Sequence, residues 1–140
     1  MSIRSAQMFF KRTEVDMNKM IFAENAPAAV GPYSHGVDTG NMFFCSGQLG
    51  LDPVSGEFKE GVREQAVQSL ANMDAVLNAA GYVKTDVVKT VVFIKNMNDF
   101  ATVNEVYAEY FGDHKPARSC VEVARLPKDG LVEIECIAVK

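Results

Sequence analysis

The chain has 140 residues, 48% hydrophobic and 23% charged, with 14 basic and 18 acidic side chains and a net charge of −4. Such a length and composition suit one globular domain whose core needs no disulfide or structural metal. The acidic balance, without a block of Lys or Arg, argues against a nucleic-acid-binding face, and no apolar run reaches the ~20 residues that span a bilayer as a helix.

Residues 1–16 (MSIRSAQMFFKRTEVD) have neither clean alternation nor a helical face and read as a flexible leader before a single domain over 17–140. Met20–Ala23 is a short strand candidate. A loop follows around Pro27 to Pro32. Ser34–Asp38 and Met42–Gly47 read as strands joined by a Thr39-Gly40-Asn41 turn. Asp52 to Gly56 is a second turn. From Val62 to Ala80 the period changes: Ala66, Leu70, Met73, Leu77 and Ala80 step by four and three along one helical face, and Gly81 suits the C-terminal cap. Val87–Ile94 (VVKTVVFI) is nearly continuous in apolarity and predicts a central strand. Asn98 or Asp99 can cap a second helix with Phe100, Val103, Tyr107 and Tyr110 on one face, ended by Gly112. Ala117–Ala124 and Leu131–Val139 are closing strands, joined by Pro127-Lys128-Asp129-Gly130.

The order β-β-β-α-β-α-β-β implies an α+β fold with both helices on one face of the sheet. A far face carrying Phe43, Cys45, Cys120, Ile137 and Val139 would then be an exposed apolar patch, and such patches mark interfaces. The expectation is an oligomer whose sheets pack together, with polar residues of that face lining clefts between subunits.

Cys45, Cys120 and Cys136 form no Cys-x-x-Cys pair, and His35 and His114 do not fall at metal-ligand spacing around them, so no metal is expected. The odd count fits a reducing, cytoplasmic setting. A mitochondrial presequence is the second reading: Arg4, Lys11 and Arg12 suit it, Glu14 and Asp16 do not.

The chemistry concentrates near the C-terminus. Arg118 opens a period-2 apolar run and shares a strand face with Cys120 and Glu122; Glu133 and Glu135 share a face of the next strand. Arginine is costly to bury without an anion. Its fork matches a carboxylate, and a nearby carboxylate can deprotonate water, so the group reads either as a site for a small acid or as an interfacial ion pair. Glu135 alone reads as an ion-pair partner or solvated residue. Tyr33 stands at a cleft edge or packs in its loop. Ser46-Gly47-Gln48 ends a strand with or without an anion held on free amides. Asn104 reads as a solvated helix residue and His35 as a structural or exposed histidine.

Three segments carry a resemblance: Glu24 to Ser34 (ENAPAAVGPYS), Asn98 to Asn104 (NDFATVN) and Pro116 to Ala138 (PARSCVEVARLPKDGLVEIECIA). From about Lys19 to the C-terminus the chain resembles the Rid (reactive intermediate deaminase, YjgF-like) family. The resemblance implies a chorismate-mutase-like homotrimer with sites between adjacent subunits. It also implies hydrolysis of short 2-imino acids such as 2-iminobutanoate and 2-iminopropanoate, without metal or organic cofactor. Carried over by position, Arg118 matches the carboxylate clamp and Glu133, rather than Glu135, the water-handling acid. Tyr33, Ser46, Gly47, Asn104 and Cys120 match the lining. Many members carry Gln where this chain has His35, which bears on the pH response rather than on catalysis. Two other readings stay in play: a non-enzymatic trimer that binds small carboxylates or holds unfolded chains, and a ribonuclease or translation inhibitor, against which the acidic charge weighs.

Overall fold

The structure, a computed structural model, describes residues 18–140; the expected leader over 1–16 lies outside the described residues. The elements are β1 (Lys19–Ile21), β2 (Gly36–Asp38), β3 (Met42–Leu49), α1 (Gly61–Ala79), β4 (Val87–Ile94), α2 (Phe100–Phe111), β5 (Ala117–Glu122) and β6 (Val132–Val139). Their order is the one expected. A short 3-10 turn precedes each of β4, α2 and β6. The strands form one mixed sheet in the order β1-β2-β3-β6-β4-β5. Every pairing is antiparallel except β4 with β5, which are parallel and joined through α2, as a crossover requires.

Register decides which side chains face the helices. Cys45 pairs with Cys136, Cys136 with Thr90, and Thr90 with Arg118. Paired residues share a face, so this row points one way; the neighbouring row of Val91, Glu135 and Ser119 points the other. The first face holds the core: Phe43, Cys45, Val92, Ile94, Val132, Ile134, Cys136 and Ala138 are buried with Ala66, Leu70, Met73, Val76 and Leu77 of α1 and Val103, Val106 and Phe111 of α2. The phenol of buried Tyr82 closes one end, its hydroxyl donating to Asp38 at 2.9 Å and its ring stacked on Phe43.

Three expectations change here. Phe43, Cys45 and Cys120 do not belong to the open face; they lie on the helix side, because their parity along β3 and β5 is that of the buried row of Thr90, Val92 and Cys136. The open face carries the expected Ile137 and Val139 together with Phe44, Val91, Phe93 and Val121, with Phe44 43% and Val121 42% exposed. β4 lies inside the sheet, but its burial alternates rather than running continuously, because helices cover only one face. β3 does not stop at Gly47; it continues to Leu49 through an irregularity between Cys45 and Gln48.

The helix α1 is held to that irregular stretch by polar groups that interrupt its apolar face. Ser69 donates its hydroxyl to the carbonyl of Gln48 at 2.6 Å. Asn72 donates its amide to the carbonyls of both Leu49 and Leu51 at 2.9 Å. Gln65 accepts from the amide of Leu131 at 2.9 Å, just ahead of β6. All three side chains are buried. They satisfy backbone groups where the strand leaves its ladder. Replacing Asn72 by Ala strands two buried carbonyls. We expect a loss of about 1–3 kcal/mol, read from the urea midpoint with an unchanged slope.

Candidate active site

Between Cys45 and Gln48, the residues Ser46 and Gly47 together oppose the single residue Glu135 of β6. This two-against-one bulge bends β3 and opens the sheet locally. It forms the floor of a cleft of about 530 Å³ on the open face, bordered by Tyr33, His35, Ser46, Gly47, Glu133 and Glu135. Ser46 ties the preceding loop to the bulge: its amide donates to the carbonyl of His35 at 2.9 Å and its hydroxyl to that of Ser34 at 2.8 Å. Tyr33, half exposed, is thereby set at the rim.

Gly47 is there for space. A Cβ on it would stand 2.8 Å from Cδ of Glu133, so only glycine lets that carboxyl lie across the strand. Burial, and secondarily the charge of Glu135, pushes the Glu133 carboxyl above its usual range. A carboxylate so placed is a stronger base than one in water. At the opposite rim Lys128 borders the cleft. Lys128 and Asp129, with φ of 57° and 63°, are the only non-glycine residues with positive φ among the described residues. Arg125 holds them with a fork on Asp129, Nε to Oδ1 at 2.7 Å and Nη2 to Oδ2 at 3.3 Å.

Arg118 is elsewhere. It sits on the helix face of the edge strand β5, where Nη1 donates to Oδ1 of Asn104 on α2 at 2.6 Å. Its guanidinium carbon lies 4.9 Å from the centre of the Tyr107 ring and 5.6 Å from that of Phe100. Tyr107 is itself fixed by Thr90 at 2.7 Å. Among the described residues no carboxylate pairs with Arg118. The guanidinium has five N–H donors, and Asn104 takes one. Cys120, half-buried on the same face, has its thiol pushed up by burial, a shift that Arg118 opposes.

The expected residues therefore fall into two groups. Tyr33, Ser46, Gly47 and Glu133 meet in the cleft; Arg118, Asn104 and Cys120 meet at the β5 edge on the other face of the sheet. Within this chain Arg118 forms no ion pair with Glu133 or Glu135, since β4 separates β5 from β6 and the side chains point oppositely. Asn104 is not simply solvated but orients Arg118. Ser46-Gly47 is a bulge rather than a strand end. The cleft also takes in His35, Glu135 and Lys128. For Glu135 the signal was its even spacing from Glu133; for His35 and Lys128 no local pattern marked the cleft. Among the described residues no group of three or more His, Cys, Asp or Glu side chains is placed to hold a metal.

The profile of the family described as Endoribonuclease L-PSP matches residues 23–140. A 2-iminobutanoate/2-iminopropanoate deaminase of Escherichia coli strain K12 is 57% identical over 127 residues, covering 89% of this chain and 99% of the relative. The chain belongs to the Rid/YjgF family. Solved structures of the family agree with its fold. The YjgF gene product of E. coli superposes with a TM-score of 0.84 at 56% identity, covering 87% of this chain and 98% of that one. E. coli TdcF with bound serine gives 0.85 at 51% identity, covering 87% and 98%. No helix among the described residues is long and apolar enough to cross a membrane.

The raised Glu133 makes a stability prediction with a definite sign. A carboxyl whose folded value is raised contributes stability that is present below the usual glutamate range and lost as pH rises through the raised value. Glu133→Gln removes that loss. The variant should melt no lower than the parent at neutral pH, and any advantage should vanish on acidification below the glutamate range, as followed by thermal denaturation across pH.

Proposed function

We propose that the protein hydrolyses short 2-imino acids, 2-iminobutanoate and 2-iminopropanoate, to the 2-oxo acids and ammonia, at sites shared by adjacent copies of a homotrimer. The observation that carries this reading is the state of Arg118: oriented by Asn104 and two aromatic rings, yet paired with no carboxylate among the described residues. A cation kept rigid and unpaired suits a ligand anion. Glu133 is the complementary half, a desolvated carboxylate above a bulge. One chain keeps the two on opposite faces, so a second copy must bring its Arg118 edge to the cleft. The uncovered apolar residues Phe44 and Val121 supply a surface for such packing. The 57% identity to the E. coli deaminase supports the substrate class.

In this reading Arg118 of one copy clamps the substrate carboxylate, and Tyr33, Ser46 and Gly47 of the next shape the cleft. Glu133 takes a proton from water as its oxygen attacks the iminium carbon. The resulting carbinolamine receives that proton on nitrogen; its hydroxyl then gives its proton back to Glu133 as the C=O forms and the C–N bond breaks, releasing ammonia and the 2-oxo acid. A backbone carbonyl beside Cys120 holds the iminium N–H. No further group enters, because an iminium carbon is already electrophilic; holding water and carbon in line is the main contribution.

Arg118→Ala loses two charge-assisted hydrogen bonds to substrate, roughly 3–5 kcal/mol, and should lower kcat/KM by about a hundred- to a few-thousandfold while the oligomer persists. Mixing Arg118→Ala with Glu133→Gln subunits under reassembly should restore about a quarter of the sites, since some interfaces then pair an intact Arg118 with an intact Glu133. No recovery on mixing would exclude the shared site, and near-parental activity of Arg118→Ala would exclude the clamp. Gly47→Ala should displace the Glu133 carboxyl and lower kcat/KM by about ten- to a hundredfold with little change in melting, in a coupled assay that follows imino-acid absorbance.

A further inference from the structure

His35 is sealed into the wall of the cleft, 3% exposed. Its Nδ1 lies 2.8 Å from the amide nitrogen of Ala23, and its Nε2 lies 2.7 Å from the carbonyl oxygen of Pro27. A backbone amide can only donate and a carbonyl can only accept. Nδ1 must therefore be bare and Nε2 must carry the proton. The ring is neutral and in one tautomer; an imidazolium would set one N–H against another at the Ala23 contact.

The backbone of the same residue extends the clamp. The His35 amide donates to the carbonyl of Ile21 at 3.0 Å, and its carbonyl accepts from Ser46 at the bulge. One residue thus joins β1, the Ala23–Pro27 segment, the strand leading from Tyr33, and Ser46-Gly47. Pro27 itself borders the cleft.

We propose that His35 is a positioning residue of this cleft that works only as the neutral Nε2–H tautomer, and that charging the ring releases the Ala23–Pro27 segment and disables the site. This rests on the deaminase reading of the cleft. The charged groups around the ring are few. The Ala23–Pro27 segment brings Glu24, exposed, and β1 brings Lys19, also exposed. β2 brings Asp38, engaged by Tyr82. β3 brings none. Across the cleft stand Glu133 and Glu135 from β6 and Lys128 from the turn before it. The two carboxylates would favour a charged ring, but neither bonds it, whereas both directed bonds at 2.7–2.8 Å require the neutral form. Aromatic cover comes from Phe22, whose ring centre is 6.2 Å away.

A glutamine amide offers the same acceptor and donor but cannot be charged. The test compares the parent, His35→Gln and His35→Ala as full-length protein. His35→Gln should keep kcat/KM within about threefold at neutral pH, while His35→Ala, which loses both bonds, should fall by about tenfold or more. On acidification the parent should lose activity more steeply than His35→Gln, whose amide cannot be charged. Both share Glu133, so the difference isolates His35. Nitrogen NMR of the parent at neutral pH should show a bare Nδ1 and a protonated Nε2, and hydrogen exchange should show the Ala23 amide losing protection on acidification in the parent alone. Superimposable pH profiles, a charged ring or the other tautomer at neutral pH, or an Ala23 amide indifferent to pH would overturn the proposal. If the parent shows no deamination at all, the functional reading fails, and the spectroscopic and exchange measurements still decide the role of His35.

Discussion

Two helices cannot cover both faces of a six-stranded sheet. Side chains alternate along each strand, so every strand that crosses the middle sends half of its residues to α1 and α2 and half to the uncovered side. The helix side becomes a closed apolar core from Phe43 to Ala138. The other side keeps Phe44, Val91, Phe93, Val121 and Ile137 only partly covered, mixed with Glu133 and Glu135. The same alternation puts Arg118 with the core-facing row and Glu133 with the open row. A cation and a carboxylate that adjoin in the chain's chemistry are thus kept apart in one copy. In the proposed assembly the packing that covers the apolar face also brings them together, so burial and catalysis have one cause.

The cleft depends on a local departure from regular structure. The bulge at Ser46-Gly47 disrupts the ladder, and the backbone groups near it need other partners. Buried Ser69 and Asn72 of α1 supply them from the core side, while His35 and Ser34 accept from Ser46 on the cleft side. Polar residues in an otherwise apolar helix face, two successive left-handed residues at Lys128 and Asp129, and a glycine wedged against a carboxylate all break local rules within the same region. Such departures persist where surrounding structure over-determines them, and they cluster at functional sites.

Electrostatics follows from that packing. Glu133 is driven up by burial before the neighbouring Glu135 adds its share, so its basicity comes from the shape of the cleft more than from a designed charge pair. Arg118 is treated in the opposite way: a neutral amide and two ring faces orient it without neutralising it. One group is made readier to take a proton and the other readier to take an anion, which is the division of labour that the proposed hydrolysis requires.

The amino-acid sequence by itself determined the element order, the boundaries of α1 and β4 to within a residue or so, and the even spacing of Glu133 with Glu135. These depend on periods of two and 3.6 residues, which are properties of a chain with itself. It also carried the family, because long runs such as PARSCVEVARLPKDGLVEIECIA are specific in their own right. It did not decide which parity of each strand faces the helices, and so misplaced Phe43, Cys45 and Cys120. That choice depends on which strands become neighbours and on a bulge that shifts β3 by one residue. Only the tertiary structure showed Asn104 gripping Arg118, His35 sealed between Ala23 and Pro27, and Arg118 parted from Glu133. Each of those relations joins residues distant in the chain, and it exists only once the sheet has chosen its order and the helices have chosen their face.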